Sequence, residues 1–560
     1  MPSDPTHAPG HRHDPDHDHG LPRDLAMLDA VDIYDTTLRD GSQQEGLSLT
    51  VDDKLRVAEQ LDHLGVTFIE GGWPGANPKD EEFFKRAPTE LRLARSTLVA
   101  FGSTRRPGGN VETDETLRQL VNAGTSSVCI VAKAWDYHVT EALRTDLDEA
   151  VRMAGESVEF LCRADLRVFF DAEHFFDGYK RNPEFTMRVL RAAEESGAEG
   201  LVLCDTNGGT LPHEVEQILR EVIPATHADI GVHFHNDGGC GVANALVAVR
   251  LGAKQVQGCI NGYGERTGNA DLCAAIPNLT LKMGVETIPR ERIELITPVS
   301  NHIAELVNVT PDPRRPYVGT SSFTHKAGLH TSALVRARDA YEHIDPQSVG
   351  NGTRVVVSEL AGRSTLQMKA SELGLDLDGA ALTTVLDQLK DLEHRGYHFE
   401  VADGSLELLM RGAGGWRQPF FELESFRVSS EHRVDGGFTT EATVKLVVDG
   451  ERVIRTAEGN GPVNALDSAL REAIGSKYPA LDAVHLTDFK VRVLDTDKGT
   501  AAVTRVLLDS TDGEETWSTI GVSQNVIEAS WQALADSVVY GLLHHDMDRQ
   551  ATEETDDGGT

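Results

Sequence analysis

Cysteine is scarce and unpaired in this sequence: six in 560 residues, Cys129, Cys162, Cys204, Cys240, Cys259 and Cys273, with no two in C-x-x-C spacing. That argues against a disulfide framework or a zinc finger and fits core thiols in a reducing compartment. Positive charge is short as well. Lys and Arg number 53 against 89 Asp and Glu, a formal charge of −36; no nucleic-acid partner is expected, because a phosphate backbone needs a concentrated basic face. No apolar run is long enough to cross a bilayer, so no membrane partner is expected either. The first residues are charged and His-rich, without the apolar core of a secretory signal, and a cytoplasmic location is the expectation. No strand-turn-helix carries G-x-G-x-x-G, which weighs against a doubly wound dinucleotide fold.

What is present is organised in blocks, and 560 residues leave room for two or three domains. Residues 1–26 hold His7, His11, His13, His17 and His19 among Pro, Asp and Gly, a composition that cannot bury apolar surface and predicts a disordered tail. Residues 546–560 predict a second, acidic disordered tail. Between 31 and 283, short β-rich runs alternate with amphipathic stretches. Strands are predicted at 31–34, 67–70, 96–101, 127–131, 167–171, 200–204, 230–234 and 254–259, with helices at 114–123, 146–159, 183–196, 212–222 and 241–251. Eight such pairs predict an α/β fold, a (β/α)8 TIM barrel over 27–283, whose strand C-termini hold the chemistry.

A helical linker region over 284–415 follows, with helices predicted at 300–307, 332–338 and 380–393. Residues 416–545 predict an α+β C-terminal regulatory and dimerisation domain with an internal repeat. Strand, turn, strand and helix run through 442–474 and again through 502–540. Gly-rich joints at 459–462 and 521–524 open the two helices, where unpaired N–H groups suit a small carboxylate such as an amino acid.

The strand ends carry the candidate chemistry. His233 and His235, two apart on one strand, share a face, and Asp40, after the first strand, is separated from them only by the eighth. Two imidazoles and a carboxylate suit a divalent ion with open positions for substrate. Arg39 does not deprotonate and can hold an oxyanion or a substrate carboxylate. Glu173, at a strand end, and His330, in the linker, are candidates for proton transfer.

Asp35-Thr36-Thr37-Leu38-Arg39-Asp40-Gly41, His233-Phe234-His235-Asn236-Asp237 and Asn261-Gly262-Tyr263-Gly264-Glu265-Arg266-Thr267-Gly268-Asn269 resemble the 2-isopropylmalate, homocitrate and citramalate synthase family. The phrases at 70–80 and 171–178 point to its citramalate branch, and the resemblance covers nearly everything after the tail. It implies an acyltransferase that condenses acetyl-CoA, as co-substrate, with pyruvate and water to give (R)-citramalate and CoA, on a threonine-independent route to isoleucine. The alternatives are 2-isopropylmalate synthesis, or a related acyl-CoA/2-oxo acid condensation, and, from another class, a catalytically silent amino-acid sensor. The resemblance further implies Asp40, His233 and His235 as metal ligands, with Asn269 completing or approaching the shell. Arg39 then polarises the keto oxygen, and Gln43, Glu173 and Thr206 contact substrate. His330 is contributed to the active site of a partner subunit. The ion, among Mg, Mn, Zn and Co, stays open, as does the base, Glu173 or His330. A homodimer or higher homo-oligomer with isoleucine as feedback effector is implied too.

Overall fold

The computed structural model describes residues 28–326, 330, 333–334, 337–357, 362–432, 434 and 437–557; the predicted N-terminal tail lies outside them. The chain divides into two compact units, Met1–Phe323 with Ile344–Gly352, and Thr324–His343 with Thr353–Thr560.

In the first unit β1 (Asp32–Asp35), β2 (Phe68–Gly72), β3 (Thr97–Ser103), β4 (Ser127–Lys133), β5 (Arg167–Glu173), β6 (Gly200–Asp205), β7 (Asp229–Phe234) and β8 (Gln255–Gly258) form a closed parallel barrel in sequence order. Pairing of Ile33 with Val256 and Tyr34 with Gln257 closes it. Parallel strands covered on both faces read as near-continuous apolar runs, which is why these segments stand out in the sequence. The helices between them start at side chains that accept from exposed N–H groups: Thr50 and Asp53 form a capping box, and Asn77, Asp114, Asp146 and Asn182 cap four more. Inside the barrel Tyr34, Phe68, Val99, Phe101, Cys129 and Phe169 make a small apolar cluster separate from the helix-covered core. Gly200 permits it, since a Cβ there would meet Phe169 Cδ1 at 2.9 Å.

The second unit carries helices Arg363–Glu372, Gly379–His394 and Asp403–Ala413 and two three-stranded antiparallel sheets. The sheets are β11 (Glu422–His432), β12 (Phe438–Val448) and β13 (Glu451–Gly459), then β14 (His485–Val493), β15 (Thr504–Thr511) and β16 (Thr516–Ser523); helices Pro462–Ile474 and Val526–Asp557 follow them. The short β9 (Thr324–His325) and β10 (Arg354–Val355) pair in parallel. The repeat is therefore strand-strand-strand-helix, one strand longer than the sequence pattern predicts. The added strands share a register shift at their second residues, Leu423 and Leu486, which strengthens the internal symmetry. They are largely exposed, and the apolar alternation they do carry, Phe426 with Val428 and Phe489 with Val491 and Val493, is shorter than the alternating burial of β12 and β15.

Helices Arg363–Glu372 and Asp403–Ala413 were not legible, and residues 332–338 lie mostly outside the described residues. The last helix continues to Asp557, through the predicted acidic tail; Met547, Arg549, Gln550, Ala551 and the glutamates are strong helix formers, and no glycine intervenes before Gly558. A chain cut at the predicted boundary after residue 415 would sever a shared core, because Leu406 and Met410 pack in one cluster with Ile520 and Val522.

Candidate active site

The C-terminal ends of the barrel strands surround a cavity of about 430 Å³ that Arg39, Asp40, Gln43, Glu173, Thr206, His233 and His235 line together. Local hydrogen bonding explains why the first loop is so sharply turned. Asp35, fully buried at the end of β1, accepts from Thr37 N at 2.8 Å, Thr37 Oγ1 at 2.9 Å and Ile260 N at 3.2 Å. That knot ties the loop to the end of β8 and delivers Arg39 and Asp40 to the barrel mouth. Burial, resisted by these bonds, pushes the Asp35 carboxyl up to about 7.

Arg39 is clamped. Its Nε donates to Glu70 Oε1 at 2.6 Å, its Nη1 lies 3.5 Å from Asp40 Oδ1, and its guanidinium carbon sits 3.9 Å from the Phe101 ring centroid. Tyr34 OH donates to the other Glu70 oxygen at 2.7 Å. Burial opposes the Arg39 charge, but Glu70 and then Asp40 outweigh it and hold the group more firmly protonated than a free guanidinium. Trp73, edge-on to Phe101 at 5.4 Å, completes this wall. Its backbone N donates to Asp80 Oδ2 at 2.9 Å, and the other Asp80 oxygen pairs with the buried Lys54.

Asp40, His233 and His235 converge as the strand periodicity predicts, with one donor atom of each within 4.8 Å of the others. Asp40 Oδ2 lies 3.2 Å from His233 Nε2 and 3.7 Å from His235 Nε2, and the two Nε2 atoms are 3.3 Å apart. Burial opposes ionisation of Asp40, but Arg39 and then the His233 hydrogen bond hold its carboxyl well below the usual carboxylate range. Burial also opposes the His233 charge, yet its bond to Asp40 raises it, whereas burial and then the neighbouring His233 push His235 down to about 4. Three buried donors aimed at one point, two of them imidazole nitrogens facing each other, form a set that a small divalent cation satisfies. Two buried polar atoms without partners among the described residues, His235 Nδ1 and Asn269 Oδ1, border the cluster. Asn269 does not line the cavity; its Nδ2 donates to Asp40 Oδ2 at 3.1 Å and approaches the Tyr263 carbonyl at 3.2 Å.

Glu173 pairs with Lys133 on the cavity wall. Thr206 Oγ1 accepts from His174 N at 2.9 Å, so its hydroxyl proton remains to donate. Asp237 stands outside the donor cluster, holding Arg266 through contacts of 2.7 and 2.9 Å. His330 belongs to the other unit, where it is exposed and stacks on Tyr341 at 4.1 Å. Sequence reading passed over three contributors. Lys54 and Asp80 act from the first turns of two helices, Val51–Leu64 and Pro78–Glu90; Gln257 lies inside the barrel, its Oε1 2.9 Å from His233 Nδ1. The available signal was Gln255-x-Gln257, two amides on one face of a strand otherwise expected to be apolar. Asp171, at the end of β5, is pushed up to about 6 by burial and then by the charge of Glu70.

The HMGL-like family matches residues 30–293, the homocitrate synthase post-HMGL domain-like family residues 317–397, and the LeuA allosteric (dimerisation) domain residues 400–542. The chain is 50% identical over 521 residues to the (R)-citramalate synthase of Aquifex aeolicus, covering 92% of this chain and 98% of that protein. It is 51% identical over 518 residues to the (R)-citramalate synthase of Streptomyces coelicolor, covering 92% and 97%. Among solved structures, the HMG-CoA lyase of Bacillus subtilis aligns over 52% of this chain and 98% of its own, at 22% identity and a TM-score of 0.45.

Proposed function

Because the chain belongs to the (R)-citramalate synthase family, we propose that it condenses acetyl-CoA with pyruvate and hydrolyses the thioester to give (R)-citramalate and CoA. The observation that supports this most directly is the convergence of Arg39 with Asp40, His233 and His235 in one cavity. A divalent ion held by Asp40, His233 and His235 supplies Lewis-acid polarisation and a template for a 2-oxo acid.

The remaining roles fall to this chain's own groups. Arg39, fixed by Glu70 and Phe101, directs its free guanidinium donors to the oxygen of pyruvate that becomes an alkoxide. Glu173 lines the same cavity, and we assign it removal of the acetyl methyl proton. Gln43 and Thr206 hold substrate oxygens. Trp73, Phe101, Val131 and Cys204 supply apolar surface that suits a short acceptor. His330 serves, on this reading, the active site of a partner subunit in a homodimer built through the C-terminal domain.

That domain is also where we place feedback control by isoleucine. A cavity of about 300 Å³ lies between the first repeat's helix, at Val463, Asn464, Asp467 and Arg471, and the second repeat's Leu486, Phe489 and Leu508. It adjoins the first of the two Gly-rich joints. An effector works there only by binding the less active state better than the active one. Among the described residues no helix is long and apolar enough to cross a membrane, and we infer a cytoplasmic enzyme. Thiol release from acetyl-CoA across a panel of 2-oxo acids tests the substrate assignment: pyruvate should give the highest kcat/KM. A higher value with 2-oxoisovalerate would reassign the chain to isopropylmalate synthesis.

A further inference from the structure

The cation cluster rests on a second layer that prepares one histidine and leaves the other unguided. Asp171 Oδ1 lies 3.3 Å from Gln257 Nε2, and Gln255 Oε1 lies 3.5 Å from the same nitrogen. Both are acceptors, and an ionised carboxylate has no proton to give. The Gln257 amide is therefore set with its NH2 toward Asp171 and its carbonyl toward His233. That carbonyl oxygen is 2.9 Å from His233 Nδ1, and because it can only accept, the ring must carry its proton on Nδ1. The lone pair is left on Nε2, the atom that faces Asp40 at 3.2 Å. Binding a proton or a cation at Nε2 leaves the Nδ1–H bond intact, so the preparation holds in either state. His235 has no such support: its Nδ1 is buried and partnerless among the described residues.

We propose that Asp171 and Gln257 form a positioning relay that fixes His233 in the tautomer and orientation needed by a divalent ion, while His235 is the ligand that adapts. The three groups come from three different strands, β5, β8 and β7, so the relay exists only because the barrel is closed. Neither residue of the relay touches the ion on this reading. Their contribution is to affinity, through the order they impose on the ring. The inference rests on the assignment of Asp40, His233 and His235 as the ion's ligands.

Mn2+ binding to the full chain, followed by electron paramagnetic resonance of the free ion, tests it without reference to turnover. Mn2+ stands low in the affinity order for imidazole-rich sites, which limits competition from the N-terminal histidines, and a His233→Ala/His235→Ala variant supplies the background. Gln257→Met keeps the length of the side chain and removes the acceptor; it should weaken Mn2+ binding about 10- to 100-fold. Asp171→Asn/Gln257→Glu reverses the polarity of the pair, with the introduced carboxylate accepting from both His233 and the introduced amide, and should return binding close to the parent value. Circular dichroism establishes that each variant is folded. The relay is overturned if Gln257→Met binds Mn2+ as tightly as the parent while the double-alanine variant does not. It is overturned equally if the polarity-reversed variant binds poorly, whatever Gln257→Met does. Unchanged binding in the double-alanine variant would instead remove the ligand assignment itself, and this inference with it.

Discussion

Arg39→Lys separates charge from geometry at the centre of the proposed reaction. The guanidinium spends Nε on Glu70 at 2.6 Å, presents Nη1 to Asp40 at 3.5 Å and stacks 3.9 Å from the centre of Phe101, which leaves donors of the same rigid plane for the cavity. A lysine carries its positive charge on one nitrogen and cannot serve both directions. Glu70 is fully buried, with Tyr34 as its other partner, and stripping a buried carboxylate of its cation is costly. The ammonium should therefore stay with Glu70, keeping the fold intact and withdrawing the donor from the nascent alkoxide. Loss of one such donor costs about 2.7–4 kcal/mol, or roughly 10²- to 10³-fold in kcat. KM for pyruvate should move less, because the interaction strengthens only as charge develops. Initial rates of thiol release at saturating pyruvate, on protein with unchanged circular dichroism and metal content, give the answer. A kcat within tenfold of the parent would refute the assignment of Arg39 to the alkoxide.

Lys54→Met strands Asp80 beneath the Trp73 loop and should destabilise the barrel by about 3–5 kcal/mol; a denaturant midpoint indistinguishable from the parent's would show that the ion pair between these buried residues is dispensable. His544 is raised above its usual 6.5, first by its bond to Glu407, and Glu407 is lowered below 4.5: burial opposes its charge, but His544 and then Arg411 outweigh it. The histidine's contribution is thus complete below pH 6.5 and lost as pH rises through its folded value, while the carboxylate's is present above pH 4.5 and lost as pH falls through its own. Hydrogen-exchange protection of the helix Asp403–Ala413, corrected for the intrinsic pH dependence of amide exchange, should accordingly be highest between those limits and no longer fall at alkaline pH in His544→Gln; an unchanged profile would discount the pair. Leu486→Trp narrows the mouth of the cavity beside Val463 and Arg471 and should abolish isoleucine inhibition with condensation retained, whereas full inhibition would move the effector elsewhere.

The primary structure alone determined the barrel, because most of its strands, buried on both faces, write apolar runs that no solvent-facing pattern interrupts; β8, with Gln255 and Gln257, departs from this. It also indicated most of the residues that line the cavity, since strand ends share one rim and the period of two puts His233 and His235 on one side, although Asn269 does not line it and His330 belongs to the other unit. Even the symmetry of the C-terminal domain was legible from its repeated joints. What it did not reveal are elements and contacts whose partners lie far along the chain. Strands β11 and β14 are mostly exposed edges whose apolar alternation is short, and pairing with β12 and β15 defines their extent. Asp171 and Gln257 are 86 positions apart, and nothing local to either indicates that one orients the other. On the proposed reading, the amide acquires its direction, and His233 its proton on Nδ1, only when closure of the barrel sets the Asp171 acceptor against the Gln257 nitrogen and His233 against its carbonyl oxygen. On that reading tertiary structure sets the tautomer of a histidine that the sequence already singled out, because hydrogen-bond direction depends on neighbours in space and residue type does not.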